Sequence, residues 1–229
     1  SGNYSYAAGC LTTALYIGSG ATSLDIRNNI FVNDRQNGAG TGLHLAAQYA
    51  GTFTNSIPAT CLTLNNNIYF ARTAANTIRQ GSTTYTLASW KNYSGCDALS
   101  GVASDTTDIN FINARGAAGD LNLHVQGTTV AEGAGFTLAA ITDDFDGQTR
   151  SGLTPVDIGA DAGNFTAKDI FAPAVSYTAT TGTVYGYGNV TISPTIVDAT
   201  GVINTGSLQP KIYFNKNFSE LENRPHDMF

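Results

Sequence analysis

Two stretches of this chain are near copies of each other, and they restrict its fold more than any other feature. SLDIRNNIFVN (Ser23 to Asn33) aligns with CLTLNNNIYFA (Cys61 to Ala71), so that Leu24, Ile26, Asn28, Asn29 and Ile30 fall on Leu62, Leu64, Asn66, Asn67 and Ile68. A second pair, GLHLAAQ (Gly42 to Gln48) and NLHVQGT (Asn122 to Thr128), shares a shorter pattern. In each copy apolar side chains alternate along the chain, the period of a strand with one buried face. The Asn-Asn pair then interrupts the alternation. Asn tolerates left-handed backbone and bonds its own main chain, so it turns a strand sharply.

A strand that turns a corner and continues cannot bury its apolar face alone, whereas stacked copies can. The expected arrangement is a β-helix, in which each coil pairs its backbone with the coils above and below. Inward Leu, Ile and Val would fill the bore. Equivalent corner side chains, Asn28 with Asn66 and Asn29 with Asn67, would stack as a ladder. A β-sandwich of hairpins is the plainer alternative, with the matched segments coincidental.

Composition agrees with an all-β, extracellular reading. The chain has 30 Thr, 20 Asn and 25 Gly among 229 residues, and 42% of it is hydrophobic, too apolar for a disordered segment. Charged residues make up 12% and the net charge is −6, which argues against nucleic acid as a partner. No run of eighteen apolar residues occurs, so no membrane insertion is expected. The opening SGNYSYAAG, without Met, reads as the start of a processed or truncated piece of a larger protein. Cys10, Cys61 and Cys96 lack the close spacing of a zinc site. One disulfide with a free thiol, and three buried thiols, are both compatible with them. No segment shows a helical apolar period with caps at both ends.

After Gly163 the pattern changes. PAVSYTA, NVTISPTIVDATG and QPKIYFNKN are three alternating strands between Ile170 and Asn217. They read as the opening of an immunoglobulin-like sandwich, shorter than the roughly 100 residues of a complete one. The expected organisation is therefore β-helix coils and their closing segment over 1–163, an incomplete immunoglobulin-like module over 164–217, and a linker or tail over 218–229. That tail contains the charge-dense SELENRPHDMF.

Three motifs carry a resemblance: DIRNNIFVN (Asp25 to Asn33), NLHVQGTTVAEGAG (Asn122 to Gly135) and DFDGQTRSGLTPVDIGADAG (Asp144 to Gly163). Together they resemble the C-terminal end of a right-handed parallel β-helix of the pectate-lyase-like superfamily. More narrowly, they are similar to secreted bacterial proteins in which such a helix ends before a surface-anchoring region. The last motif follows the pattern DFDG--R---PDIGA-E through Asp144, Asp146, Gly147, Arg150, Asp157, Ile158, Gly159 and Ala160. Two positions depart from it: Thr128-Thr129 stand for the usual Ser-Pro, and Ala162 for the usual Glu. The region after Gly163 resembles, more loosely, the strand-rich modules of adhesins exported by the type IX secretion system. The resemblance implies a long, secreted, multi-domain cell-surface protein of a gliding or biofilm-forming bacterium; the expected partners are a surface polysaccharide or another extracellular ligand, with a secretion-system or surface complex as a further candidate.

The candidate chemistry is sparse. Asp143, Asp144, Asp146, Asp157 and Asp161 supply hard oxygens, and Asp144, Asp146 and Asp157 are the expected ligands if calcium binds. Otherwise no cofactor is implied. The plainer reading makes Asp146-Gly147 a turn, has Asp144 and Asp157 accept backbone N–H groups, and pairs Arg150 with one of them. Gly147, Arg150 and Gly159 then belong to a cap over the last coil. Tyr85, Trp90 and Tyr93 are candidates for sugar binding, or else cover the core beneath a loop. His44 and His124 alternate with apolar neighbours and are expected to face solvent. Asp25 and Arg27 share a strand face as an ion pair. The resulting expectation is a non-enzymatic segment of a secreted adhesin, acting as stiff spacer and adhesive surface. A polysaccharide lyase or hydrolase and a carbohydrate-binding module are the alternatives.

Overall fold

The computed structural model describes residues 10–19, 24–36, 42–50, 63–72, 77–153, 156–169, 174–176 and 194–197. Contacts divide the chain into two compact units, Ser1–Ile170 and Phe171–Phe229. Strands dominate the described residues, which places the protein in the all-β class. No described helix is long and apolar enough to cross a membrane.

In the first unit the chain runs through β1 (Leu11–Ile17), β2 (Ile26–Arg27), β3 (Ile30–Asn33), β4 (Leu43–Tyr49), β5 (Leu64–Asn65), β6 (Ile68–Ala71) and β7 (Ile78–Gln80). A hairpin strand β8 (Thr83–Tyr85), helix α1 (Leu87–Ser94) and β9 (Gly101–Val102) follow. The strands pair in three parallel series: β1 with β4 and β4 with β7, β2 with β5, and β3 with β6 and β6 with β9. Parallel neighbours need a long connection between them. Here that connection is made of the strands of the other two series, so each strand meets the one a full circuit later. The near copies lie in register, Ile26 opposite Leu64 and Ile30 opposite Ile68. The second sequence match is not structural. His44 lies in β4 between two parallel neighbours, whereas His124 lies in β11 (Asn122–Val125), which is antiparallel to β10 (Phe111–Asn113). A short apolar alternation around His suits any strand and carries no register.

The corners explain the copies. Asn28 and Asn66 have φ of 57° and 52°, left-handed backbone that Asn adopts more readily than other side chains with a Cβ. The Asn28 N–H donates to the Asn66 carbonyl at 2.9 Å, joining consecutive corners. The next residue of each pair turns inward. Asn67, fully buried, accepts at Oδ1 from the main-chain and side-chain N–H of Asn29 (3.0 and 3.1 Å), and donates to the Ile26 carbonyl at 2.8 Å. Its own N–H donates to Ser100 Oγ at 2.9 Å. The inner column is thus Asn29, Asn67, Ser100.

Helix α1 was not legible as a helix in the sequence. Thr86 caps its first turn by accepting from the Ser89 N–H, and Gly95 closes it at φ 71°. Its Trp90 is fully buried, stacked on Tyr49 at 4.8 Å and 12°. The indole N–H donates to Asp97 Oδ2 at 2.9 Å. Asp97, also buried, accepts further bonds from the Tyr69 hydroxyl (3.1 Å) and Ser100 Oγ (2.5 Å). Burial pushes the Asp97 carboxyl up, although these donors pull against it.

A second short helix, α2 (Thr106–Ile109), carries a capping box between Asp105 and Asp108. β12 (Thr128–Thr129) then pairs in parallel with β13 (Thr166–Ala167), and Lys168 Nζ reaches Asp108 at 2.6 Å. These contacts carry the first unit to Ile170, beyond the expected boundary at Gly163.

The closing segment, whose Ile158 packs in one cluster with Ala103 and Ile109, also runs back along the corners. Asn66 Nδ2 donates to the Ala134 carbonyl at 3.0 Å. Asn28 exchanges two bonds with the Phe136 main chain, 2.7 and 2.8 Å, and its carbonyl accepts from the Gly159 N–H at 3.0 Å. The strap gives partners to the Asn28 side chain and carbonyl and to Asn66 Nδ2, while Asn66 Oδ1 stays buried without one. It packs too closely for side chains at two points. A Cβ on Gly135 would lie 2.6 Å from the Asp157 carbonyl oxygen. Gly159, at φ 117°, sits against Ile30.

In the second unit, β14 (Ala174–Ser176) and β15 (Thr195–Val197) pair antiparallel, Ala174 opposite Val197. The expected QPKIYFNKN strand and the tail from residue 218 lie outside the described residues.

Two substitutions test this packing. Asn67→Ala should cost about 3 kcal/mol in denaturant unfolding, because it leaves the Asn29 N–H and the Ile26 carbonyl buried without partners. Gly135→Ala should lower the melting midpoint by forcing the strap off Val156 and Asp157, while Gly152→Ala, with open space around it, should change it little.

Candidate functional site

Where the strap passes the first corner and the β10–β11 hairpin, it leaves a groove of about 700 Å³. Its walls are largely apolar: Ile30 and Phe31 from β3, Leu121 and Leu123 from the hairpin, and Phe145 from the strap. Phe145 is 78% exposed and Leu123 57% exposed. Side chains this apolar are unusual at a surface unless something covers them. His124 and Asp161 are the titratable groups of the lining.

His124 is held from both sides. Its Nε2 lies 2.8 Å from Asp146 Oδ2, and its Nδ1 lies 2.5 Å from Asn122 Oδ1. The same Asn122 oxygen accepts the His124 main-chain N–H at 3.1 Å. Asp161 Oδ2 accepts the Val125 N–H at 2.6 Å. One ligand atom each from His124, Asp146 and Asp161 lies within 4.8 Å of the others. Asp146 is presented by a tight turn at Gly147 (φ 78°), in which Asp144 Oδ1 accepts from the N–H groups of Asp146 (2.9 Å) and Gln148 (2.7 Å).

This differs from the trio expected for calcium. Asp144 spends both oxygens on main-chain N–H groups, the second on Ala162 at 3.3 Å. Asp157 is 1% exposed and faces the other way, accepting from the Gly133 (3.0 Å) and Gly163 (2.9 Å) N–H groups. Of the three, Asp146 alone faces the groove mouth, and its neighbours are His124 and Asp161. The one signal in the sequence was the Asn122-x-His124 spacing, which lets the amide hold the ring.

Asp157 instead shares its surroundings with Glu132, which accepts the Phe165 N–H at 2.9 Å. Burial pushes both carboxyls up, and the Asp157 charge raises Glu132 further, while main-chain N–H groups pull both down. Arg150 does not pair with a carboxylate as expected. Its guanidinium donates to the carbonyls of Asp143 (3.2 Å), Gly159 (2.8 Å) and Ala160 (3.0 Å), tying the two limbs of the strap together.

The aromatic candidates separate. Trp90 has no exposed face and its N–H is taken by Asp97, so it cannot stack on a sugar. Tyr85 and Tyr93 are half-buried and stacked on each other at 5.0 Å. His44, expected to face solvent, is fully buried. It lies opposite Thr12, whose Oγ1 is 2.7 Å from Nδ1, and Asn33 closes over Thr12 at 3.0 Å. Both faces of β4 are covered here: His44, Leu45, Ala46 and Ala47 are each 0% exposed. Asp25 and Arg27 form the expected ion pair, with the guanidinium also 4.6 Å from the Phe136 ring. Cys96 is disulfide-bonded to a partner outside the described residues, and Cys10 is a free thiol.

The Glu132–Asp157 pair predicts a pH dependence. Both folded carboxyls sit above their unfolded values, so the stability they contribute is complete below about pH 4 and falls as pH rises through the raised values. Glu132→Gln should raise the melting midpoint at pH 7 and flatten its decline between pH 4 and 7. An unchanged profile would contradict the pairing. Comparison with protein families, with curated proteins and with solved structures returned no match for this chain, so its own geometry carries the functional reading.

Proposed function

We propose that the chain is the end of a right-handed parallel β-helix followed by the start of an immunoglobulin-like module. In this reading it serves as a non-enzymatic segment of a large secreted cell-surface adhesin. One observation carries the reading: successive circuits pair strand on strand in three parallel series, with an Asn corner bonded to the Asn corner of the next circuit. Such a stack is stiff, because bending or extending it breaks the hydrogen bonds of a whole coil together. The first coil also offers strands able to continue the stack toward further coils.

Two further observations support the secreted, adhesive role. A disulfide at Cys96 suits an oxidising compartment. The groove is apolar, with Asn and Asp at its edges and neither Lys nor Arg among its lining residues. None of its described lining residues is therefore a lysine or arginine base able to abstract a uronate's proton. That favours binding of a surface polysaccharide over its cleavage.

The test is to pass the purified chain over immobilised neutral and uronate polysaccharides, and to incubate it with the same polymers in solution. Retention on at least one polymer, with no unsaturated product in the ultraviolet, is the expected result. Calcium-dependent release of unsaturated sugars would replace this reading with a lyase, and absence of retention on every polymer would remove the adhesive role.

A further inference from the structure

We infer that His124, Asp146 and Asp161 form a binding site for a divalent transition-metal ion, zinc foremost, at the mouth of the groove. Asn122 sets the state of the histidine. Its side-chain oxygen accepts the His124 main-chain N–H at 3.1 Å, which fixes that atom as the oxygen, and it also sits 2.5 Å from Nδ1. The imidazole therefore carries a proton on Nδ1. An outer amide or carboxylate that takes one ring N–H and so aims the other nitrogen is the usual support of a metal-binding histidine.

The aimed nitrogen, Nε2, faces Asp146 Oδ2 at 2.8 Å, with an Asp161 ligand atom within 4.8 Å of both. The ring lone pair facing Asp146 Oδ2 is repelled by it unless a cation lies between them. Asp161 Oδ2 accepts the Val125 N–H and still has lone-pair capacity to share that cation. Donors around a tetrahedral zinc stand roughly 3.3 Å apart, given bond lengths near 2.0–2.2 Å. The separation is brought to that value by a rotation of the Asp146 side chain, which is 38% exposed and free to turn.

The donor set selects the ion. One imidazole nitrogen with two carboxylate oxygens suits zinc and its neighbours in the first row. Calcium prefers six to eight oxygens, more than these side chains supply. Three protein ligands leave a fourth position, and it opens to the groove beside the Phe145 ring, which stands edge-on to His124 at 6.3 Å. The ligands come from β11, from the Gly147 turn and from the returning strap. An ion bound there ties the strap to the hairpin and raises stability by mass action.

The experiment uses the full chain in a Cys10→Ser background, so that the free thiol takes up no metal, after treatment with a chelator. Zinc alone is titrated by calorimetry, and the melting midpoint is recorded with and without it, for the parent and for Asp146→Asn and His124→Gln. The site predicts saturable uptake of one zinc, a raised midpoint, and affinity at least about tenfold weaker in both variants. The variants should keep the parent's metal-free midpoint to within a few degrees. No saturable uptake by the parent, or uptake that both variants leave unchanged, overturns the site and leaves only a His124–Asp146 hydrogen bond. Tighter binding of calcium than of zinc would overturn the transition-metal assignment.

Discussion

Parallel pairing between successive circuits sets the terms for everything else in the first unit. To bring Ile68 beside Ile30 and Leu64 beside Ile26, the chain must turn at the same place on every circuit, within two residues and without orphaning main-chain groups. The paired asparagines divide that task. Asn28 and Asn66 take the left-handed backbone and point outward. Asn29 and Asn67 point inward, where Asn67 satisfies main-chain groups of the coil before it. An apolar side chain at either position could fill the space but would leave those groups unpaired at a cost of about 1–3 kcal/mol each.

The outward half of each corner determines what covers the stack. Ala134 meets Asn66 Nδ2, and Phe136 and Gly159 meet Asn28, so the strap follows the corners. Gly159 lets it approach Ile30 within contact distance, Gly135 lets its two limbs lie against each other, and Arg150 bonds carbonyls of both limbs. The groove is lined jointly by the first corner, the β10–β11 hairpin and the returning strap.

The sequence was most legible where a pattern repeats. The near copies, the strand–corner unit and the paired asparagines could all be read, because few structures besides a turning strand combine period-two alternation with left-handed Asn. Other features depended on residues far apart in the chain. Helix α1 has a weak apolar face, and it is stabilised by Trp90 and Asp97 meeting Tyr49 and Tyr69 from other coils. His44 looked solvent-facing because alternation assumes one wet face, which a central covered strand lacks. The grouping of His124 with Asp146 and Asp161 joins residues 22 and 37 positions apart, and local spacing could not announce it. The three aspartates expected for calcium are separated for a related reason: clustered aspartates in a glycine-rich segment mostly bond main-chain N–H groups, as Asp144 and Asp157 do.

If the corners bind the strap as described, coils and strap form one cooperative body. Native-state hydrogen exchange tests this directly. The inter-coil amides of Asn28, Ile68 and Gly101 and the strap amides of Phe136 and Gly159 should share strong protection and lose it together as denaturant is raised. Strap amides that exchange like exposed peptide while the coil amides stay protected would contradict the account.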